Sequence, residues 1–332
     1  MKLKRVLPLI LILAMVIGLA AGCSSASTTA APSQTTAAAA AAETTTAAAN
    51  EKIKVGMTCY SLKNEFTVRL SNAAKAKADE LGVELEVYDG NYDVNTQISQ
   101  VESMISSGVN AIILNPQDAQ ALSVAVDKAA EAGIPVIGVN TRVVSDKLTS
   151  YVGSQDVTAG EMEMQYIADL LGGKGNIVII EGPMGQSAQL ERYEGITNIL
   201  KKYPDIKVLA TKTANWSRSE AMSLMENWLQ SFEQIDAVVA ENDEMALGAR
   251  QAIEAKSMNI PCIGVDGITD ALTAVESGSM VASIFQDGWG QGSKSLELAV
   301  MAAKGEQLEK EYWIPFEPIT KDNVAEFKKR AQ

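Results

Sequence analysis

From residue 53 onward the chain alternates short apolar runs with amphipathic stretches, and this alternation most limits the folds open to it. Residues 53–59 read as a buried strand, after which Phe66, Leu70, Ala73, Ala74 and Leu81 recur at helical spacing. Residues 83–88 read as the next strand, and Ile98, Val101, Met104 and Ile105 mark one helix face. Strands at 111–114 and 135–139 flank a helix over 119–132. Gly82, Gly108 and Gly133 stand where helices should end. The pattern restarts after Tyr151-Val152-Gly153. Helices at 157–171, 193–202, 219–229, 244–255, 269–277 and 291–304 then alternate with strands at 176–181, 206–211, 237–240, 262–265 and 281–285. Strand–helix–strand units with right-handed crossovers make a mostly parallel sheet covered on both faces. Two successive sets predict an α/β protein of two doubly wound parallel-sheet domains. In such sheets ligands sit outside the carboxyl ends of the strands, so two facing domains would share one cleft.

The first 50 residues read differently. Lys2, Lys4 and Arg5 precede an apolar stretch over 6–19, shorter than a membrane-spanning helix needs. The stretch ends in Leu19-Ala20-Ala21-Gly22-Cys23, which resembles the lipobox of bacterial lipoproteins. That resemblance implies cleavage of residues 1–22 as a signal peptide and a lipid on the Cys23 sulfur, an anchor that holds a protein at a membrane without spanning it. Ala20 stands where the lipobox prefers Leu. Residues 23–50 are almost entirely Ala, Ser and Thr, too poor in apolar side chains to form a core, and read as a tether.

Composition narrows the function. The net charge of −13 argues against nucleic-acid partners, which want a basic patch. There is no histidine, which removes the commonest general base and zinc ligand. Cys59 and Cys262 lie inside apolar runs and read as small buried hydrophobes. Asp89-Gly90-Asn91-Tyr92-Asp93-Val94-Asn95 spaces its oxygens as a calcium loop does, but its sixth residue is Val94 and its twelfth Gln100. A strand-to-helix loop with Asn95 near the helix start explains it, and neither metal nor cofactor is expected.

The segments after the strand ends hold polar and aromatic side chains: residues 60–66, Asn140-Thr141-Arg142, Arg192, Asn215-Trp216, residues 241–244, Asp266-Gly267 and Gln286-Asp287. Hydroxyl-rich ligands need this kit. Planar Asn, Gln, Asp and Arg groups satisfy pairs of vicinal hydroxyls, and aromatic rings cover the C–H faces. Residue by residue, simpler readings also exist: Trp216 as core, Arg192 as a surface ion-pair partner, Asn242 as a helix N-cap, Asp266 as a turn residue. Met222 and Met225 read as core.

The sequence resembles periplasmic sugar-binding proteins of the ribose-binding type, the substrate-binding components of ABC transporters. The resemblance rests on the block from Ala240-Glu241-Asn242-Asp243-Glu244 to Gly248-Ala249, on Ile263-Gly264-Val265-Asp266-Gly267 at the right distance after it, and on Leu114-Asn115-Pro116, Gly133-Ile134-Pro135 and Glu191-Arg192. It implies the type I periplasmic binding protein fold, with residues 51–154 and 287–312 in one domain and 155–286 and 313–332 in the other. Interdomain crossings would lie near Ser154-Gln155, Gln286-Asp287 and Tyr312-Trp313. It also implies a ligand set. Asn64 and Phe66 match the loop after the first strand, Thr67 a position that is often a second aromatic, and Asn140 and Thr141 positions held by Asp and Arg in ribose binders. Arg142 would take over that cation's role. Arg192, Trp216, Asn242, Asp266 and Gln286 match the remaining set. The departures at Glu65, Thr67, Asn140 and Thr141 turn the expectation from ribose to a six-membered ring, a hexose or a cyclitol such as inositol. The expected partners are that ligand, an ABC permease, and the outer face of the membrane through the lipid; the chain is expected to be a monomer. A receptor presenting a sugar or furanosyl signal to a membrane sensor is the alternative on the same fold. A repressor is disfavoured by the export signal, and a glycosidase by the absence of any nucleophile motif.

Overall fold

The computed structural model describes residues 52–330; residues 1–22, the linker 23–50 and Cys23 lie outside them. Two six-stranded sheets carry the fold. The first contains β1 (Lys54–Cys59), β2 (Glu84–Asp89), β3 (Ala111–Asn115), β4 (Val136–Val139), β5 (Ser150–Gly153) and β11 (Glu311–Trp313), in the order β11-β5-β4-β3-β1-β2. The second contains β6 (Lys174–Glu181), β7 (Asp205–Thr213), β8 (Ala237–Ala240), β9 (Cys262–Asp266), β10 (Ala282–Phe285) and β12 (Glu317–Ile319), in the order β12-β10-β9-β8-β6-β7. The two orders have the same winding. Every pairing is parallel except that of β12 with β10.

Helices cover both sheets. The first lobe carries α1 (Glu65–Leu81), α2 (Val94–Ser106), α3 (Ser123–Glu131) and α9 (Gly288–Ala303). The second carries α4 (Asp156–Leu170), α5 (Ser187–Leu200), α6 (Arg218–Ser231), α7 (Asp243–Ala255), α8 (Thr269–Ser277) and α10 (Val324–Arg330). Covering both faces explains why β3, β8 and β9 are buried along their whole length and read as unbroken apolar runs. Each fully buried Val, Leu or Ile there contributes about 1.5–3 kcal/mol. Cys59 and Cys262 are part of this packing as free thiols, and burial pushes both up to about 12, so neither is a nucleophile at neutral pH.

The helix ends follow local chemistry. Gly82 closes α1 at φ 68°, and its amide reaches back to the Ala78 and Asp79 carbonyls. Asp93 caps α2 by accepting from the Thr96 amide at 2.6 Å, with Asn95 in the first turn as expected. In the preceding loop Asp89 Oδ1 accepts from the Leu62 and Asn91 amides. Helix pairs approach closely where a glycine allows it. A methyl on Gly292 of α9 would stand 2.0 Å from the Leu70 carbonyl oxygen of α1, and one on Gly160 of α4 would stand 1.9 Å from the Arg192 carbonyl oxygen of α5.

The chain passes between the lobes three times: after β5 at Ser154-Gln155, after β10 at Gln286-Asp287, and between β11 and β12. Trp313 still pairs with Gly153 in the first sheet, so the last passage begins one residue beyond it. The two final strands, β11 and β12, and α10 escape the sequence pattern because strands of three residues carry no alternation to read.

Candidate ligand-binding site

The carboxyl ends of β1, β4, β6, β7, β8, β9 and β10 point at one another across the cleft. Their following residues enclose a chamber that leaves about 310 Å³ unfilled. Nine of the side chains expected from the sequence line it: Asn64, Phe66, Asn140 and Thr141 from the first lobe, and Arg192, Trp216, Asn242, Asp266 and Gln286 from the second lobe and its exit. A wider groove, leaving about 1440 Å³ unfilled, adjoins it and shares Asn64 and Trp216.

The backbone is bent to present these groups. Of the seven non-glycine residues at positive φ among the described residues, Asn140, Trp216 and Asp266 line the chamber, and Tyr92 and Asn215 line its groove. Such strain persists where surrounding bonds over-determine it. Asn140 sits at φ 64° because Tyr151 Oη donates to its carbonyl oxygen at 2.6 Å and Asn115 Nδ2 donates to its Oδ1 at 3.2 Å. Asp266, at φ 128°, is held by its successors: the Gly267 and Ile268 amides donate to Asp243 Oδ2 at 2.7 and 3.1 Å. Ser283 donates to the other Asp243 oxygen at 2.7 Å. Burial raises Asp243 to about 6 against the pull of these donors.

Arg192 anchors the second lobe's wall. It is 3% exposed; its Nε donates to Asp156 Oδ1 at 2.9 Å, one terminal nitrogen donates to the Glu241 carbonyl, and the other donates to Gln286 Oε1 at 3.0 Å. That leaves Gln286 Nε2 as a buried donor without a protein partner, at the chamber wall. Asn242 uses Oδ1 to cap α7, accepting from the Met245 amide at 2.9 Å, while its side chain also lines the chamber. The helix-cap and ligand readings of Asn242 therefore describe one geometry. The carboxylates of Asp156 and Asp243 are occupied by protein donors. Asp266 has no such donor among the described residues, so burial pushes it well above the usual carboxylate range against the opposing pull of Arg192. A ligand bringing hydroxyl donors to Asp266 and acceptors to Gln286 and Asn242 completes the set. Phe66, Tyr60, Trp216 and Ala188 supply apolar walls.

Two expected residues stand elsewhere. Thr67 is buried in α1, its hydroxyl donating back to the Asn64 carbonyl at 3.0 Å; one helical residue beyond Phe66, it faces the helix packing. Arg142 does not take the place of a cation in the chamber. Its guanidinium lies 4.9 Å from the Tyr151 ring and 4.8 Å from the Trp313 ring and pairs with Glu311 at 2.9 Å, so it braces the first lobe beside the last crossing. Tyr60, from the 60–66 segment, joins the lining, as do Gln186 and Ala188, which the sequence did not single out. Gln186 accepts from Trp216 Nε1 and so orients the indole. The turn at Pro183-Met184-Gly185 after β6, with Gly185 at φ 90°, was the available signal for it.

Below the chamber, both oxygens of Glu163 are buried without a partner, near Arg192, Asp243 and Asp266. Burial raises this carboxyl well above its ordinary range, so the folded state keeps a proton that the unfolded chain has released. Its contribution is therefore fully present below the ordinary carboxylate range and is lost as pH rises toward the raised value. Glu163→Gln, a mimic of the neutral acid, should flatten this dependence. Urea unfolding at pH 5 and pH 8 should show the variant gaining on the wild type at the higher pH; an equal difference at both would mean that Glu163 titrates normally.

Comparison with known proteins agrees with this geometry. Residues 55–307 match the model of the periplasmic binding protein domain. A xylitol-binding protein of Mycolicibacterium smegmatis is 45% identical over 82% of this chain and 78% of its own length. The ribose import binding protein of Bacillus subtilis is 34% identical over 78% of this chain and 85% of its own. A solute-binding protein of an ABC transporter from Bacillus halodurans, solved with bound myo-inositol, is 39% identical and superposes with a TM-score of 0.81, covering 84% of this chain and 98% of that one. The alternating apolar and amphipathic pattern, the paired sheets and the shared chamber thus have one source: this chain belongs to the periplasmic binding protein family.

Proposed function

We propose that this chain is the extracytoplasmic solute-binding component of an ABC transporter, that it closes on a monosaccharide or cyclic polyol, hexose or inositol-like, and that it hands this ligand to a membrane permease. The observation that carries the reading is the pairing in one chamber of the Asp266 carboxyl with the Gln286 amide nitrogen, both without a protein hydrogen-bond partner among the described residues, between Phe66 and Trp216. Neutral vicinal hydroxyls both donate and accept, and so answer both groups at once. The relatives named for xylitol and ribose, and the neighbour holding myo-inositol, support this ligand class.

The ligand touches both lobes and stabilises the closed state by its contacts there, as in periplasmic binding proteins generally. Bending falls at the three crossings, with the lobes divided as residues 51–154 with 287–313 and 155–286 with 314–332. The protein acts as a monomer and performs no chemistry on what it binds. Its signal segment of residues 1–22 is removed, and Cys23 carries a lipid that holds it, through the tether, at the outer face of the cell membrane. Cys23→Ser should shift the protein from the membrane to the soluble fraction; retention at the membrane would argue against the anchor.

Isothermal titration with myo-inositol, xylitol, D-ribose and a hexose tests the ligand class. At least one should bind with micromolar or tighter affinity, with a change in Trp216 fluorescence. Asp266→Ala should weaken it about 100-fold, the loss of its hydrogen bonds to ligand hydroxyls. No binding tighter than millimolar to any of them would sink the reading.

A further inference from the structure

Outside the chamber, α8 of the second lobe begins without a cap of its own. Its N-cap residue, Ile268, has no side-chain acceptor, so the first amides of the helix would stand unsatisfied. The acceptor comes from the other lobe. Glu65 Oε1, in the first turn of α1, accepts from the Thr269 amide at 3.0 Å and from the Thr269 hydroxyl at 2.8 Å. Arg69, one turn on, donates to the same oxygen at 2.8 Å and reaches the Gly267 carbonyl at 3.4 Å.

Both ends of this clasp adjoin the chamber. Glu65 lies between Asn64 and Phe66, and Gly267 follows Asp266. A second set of bonds joins the lobes elsewhere: Ala119 N to Gly185 O at 3.1 Å, Gln186 Nε2 to Pro116 O at 3.3 Å, and Arg142 N to Ser187 Oγ at 2.7 Å. None of the Glu65 contacts touches the chamber space, and a carboxylate at a helix N-terminus is favoured by the helix dipole as well as by its hydrogen bonds.

We propose that Glu65, positioned by Arg69, is an affinity-setting residue that acts by capping α8 across the cleft. It contributes only when the lobes are shut. It therefore raises the affinity for every ligand of the chamber by one factor and leaves their ranking to the chamber walls. The inference rests on the proposed closure of the cleft but not on the identity of the ligand.

Two measurements on Glu65→Ala and Glu65→Gln test it. In stopped-flow binding of myo-inositol and xylitol, Glu65→Ala should raise the dissociation rate about tenfold for each ligand, with association nearly unchanged. Glu65→Gln, which keeps an acceptor oxygen but loses the charge, should fall between. In hydrogen exchange on the ligand-free protein, Glu65→Ala should speed exchange of the Ala119 amide, whose acceptor Gly185 lies across the cleft, as well as that of Thr269. Faster exchange at Thr269 alone would reduce Glu65 to a local cap and overturn the proposal, as would a changed ratio of the two affinities. If the wild type binds neither polyol, the ligand class fails while the Ala119 exchange still decides the clasp.

Discussion

The buried guanidinium of Arg192 is the interaction on which the second lobe's half of the chamber depends. Among the described residues it is the one buried cation, and it joins four places in the fold: its own helix α5, the start of α4 through Asp156, the end of β8 through the Glu241 carbonyl, and the exit from β10 through Gln286. A buried ion pair adds little net stability by itself, but removing one partner leaves a charge stranded, at about 3–5 kcal/mol. The arrangement is therefore sensitive to loss and rigid while intact. The same bonds that hold Arg192 turn Gln286 so that its amide nitrogen is left over, which is how a structural tie becomes a recognition element.

Around this cation lie more buried carboxyls than it can balance: Asp156, Glu163, Glu241 and Asp266. Burial raises all four above their usual range, with the Arg192 charge pulling the other way in each. Asp156 is held in direct contact with the guanidinium, and Glu241 accepts from the Gly182 amide. Glu163 has no donor among the described residues. Asp266 lines the chamber and the other three lie behind its wall, so the protonation of this cluster depends on how tightly water is excluded, and closure and charge are coupled. Capping of α8 by Glu65 works on the same closure from outside the wall.

The fold was legible because burial on both faces leaves a signature that residues 111–115 and 262–266 carry in full, and because glycines such as Gly82 end helices at positive φ. The helix α5 was placed six residues late because its first turn is held by tertiary bonds, Ser187 Oγ accepting from the Arg142 amide and Gln189 Nε2 donating to Glu181. Of the site, the residues that directly follow strand ends were readable, since topology alone puts them at the cleft. What was not readable was direction. Arg142 follows Asn140 and Thr141 in sequence, but the turn at Asn140 sends its side chain to the Tyr151 and Trp313 rings. Thr67 follows Phe66, but a helix rotates neighbouring side chains by about 100°, so only one of the two can face the chamber. Gln186 belongs to the site through an indole hydrogen bond that no spacing announces.

The central claim is that the chamber between Asp266, Gln286, Phe66 and Trp216 holds a neutral polyhydroxylated ring. Mass spectrometry of small molecules released on denaturing protein freshly purified from its own host tests it most directly. The account predicts a stoichiometric neutral monosaccharide or cyclitol, lost from the Asp266→Ala variant. A charged compound such as an amino acid or nucleotide, released in its place from the wild type and retained by that variant, would contradict it.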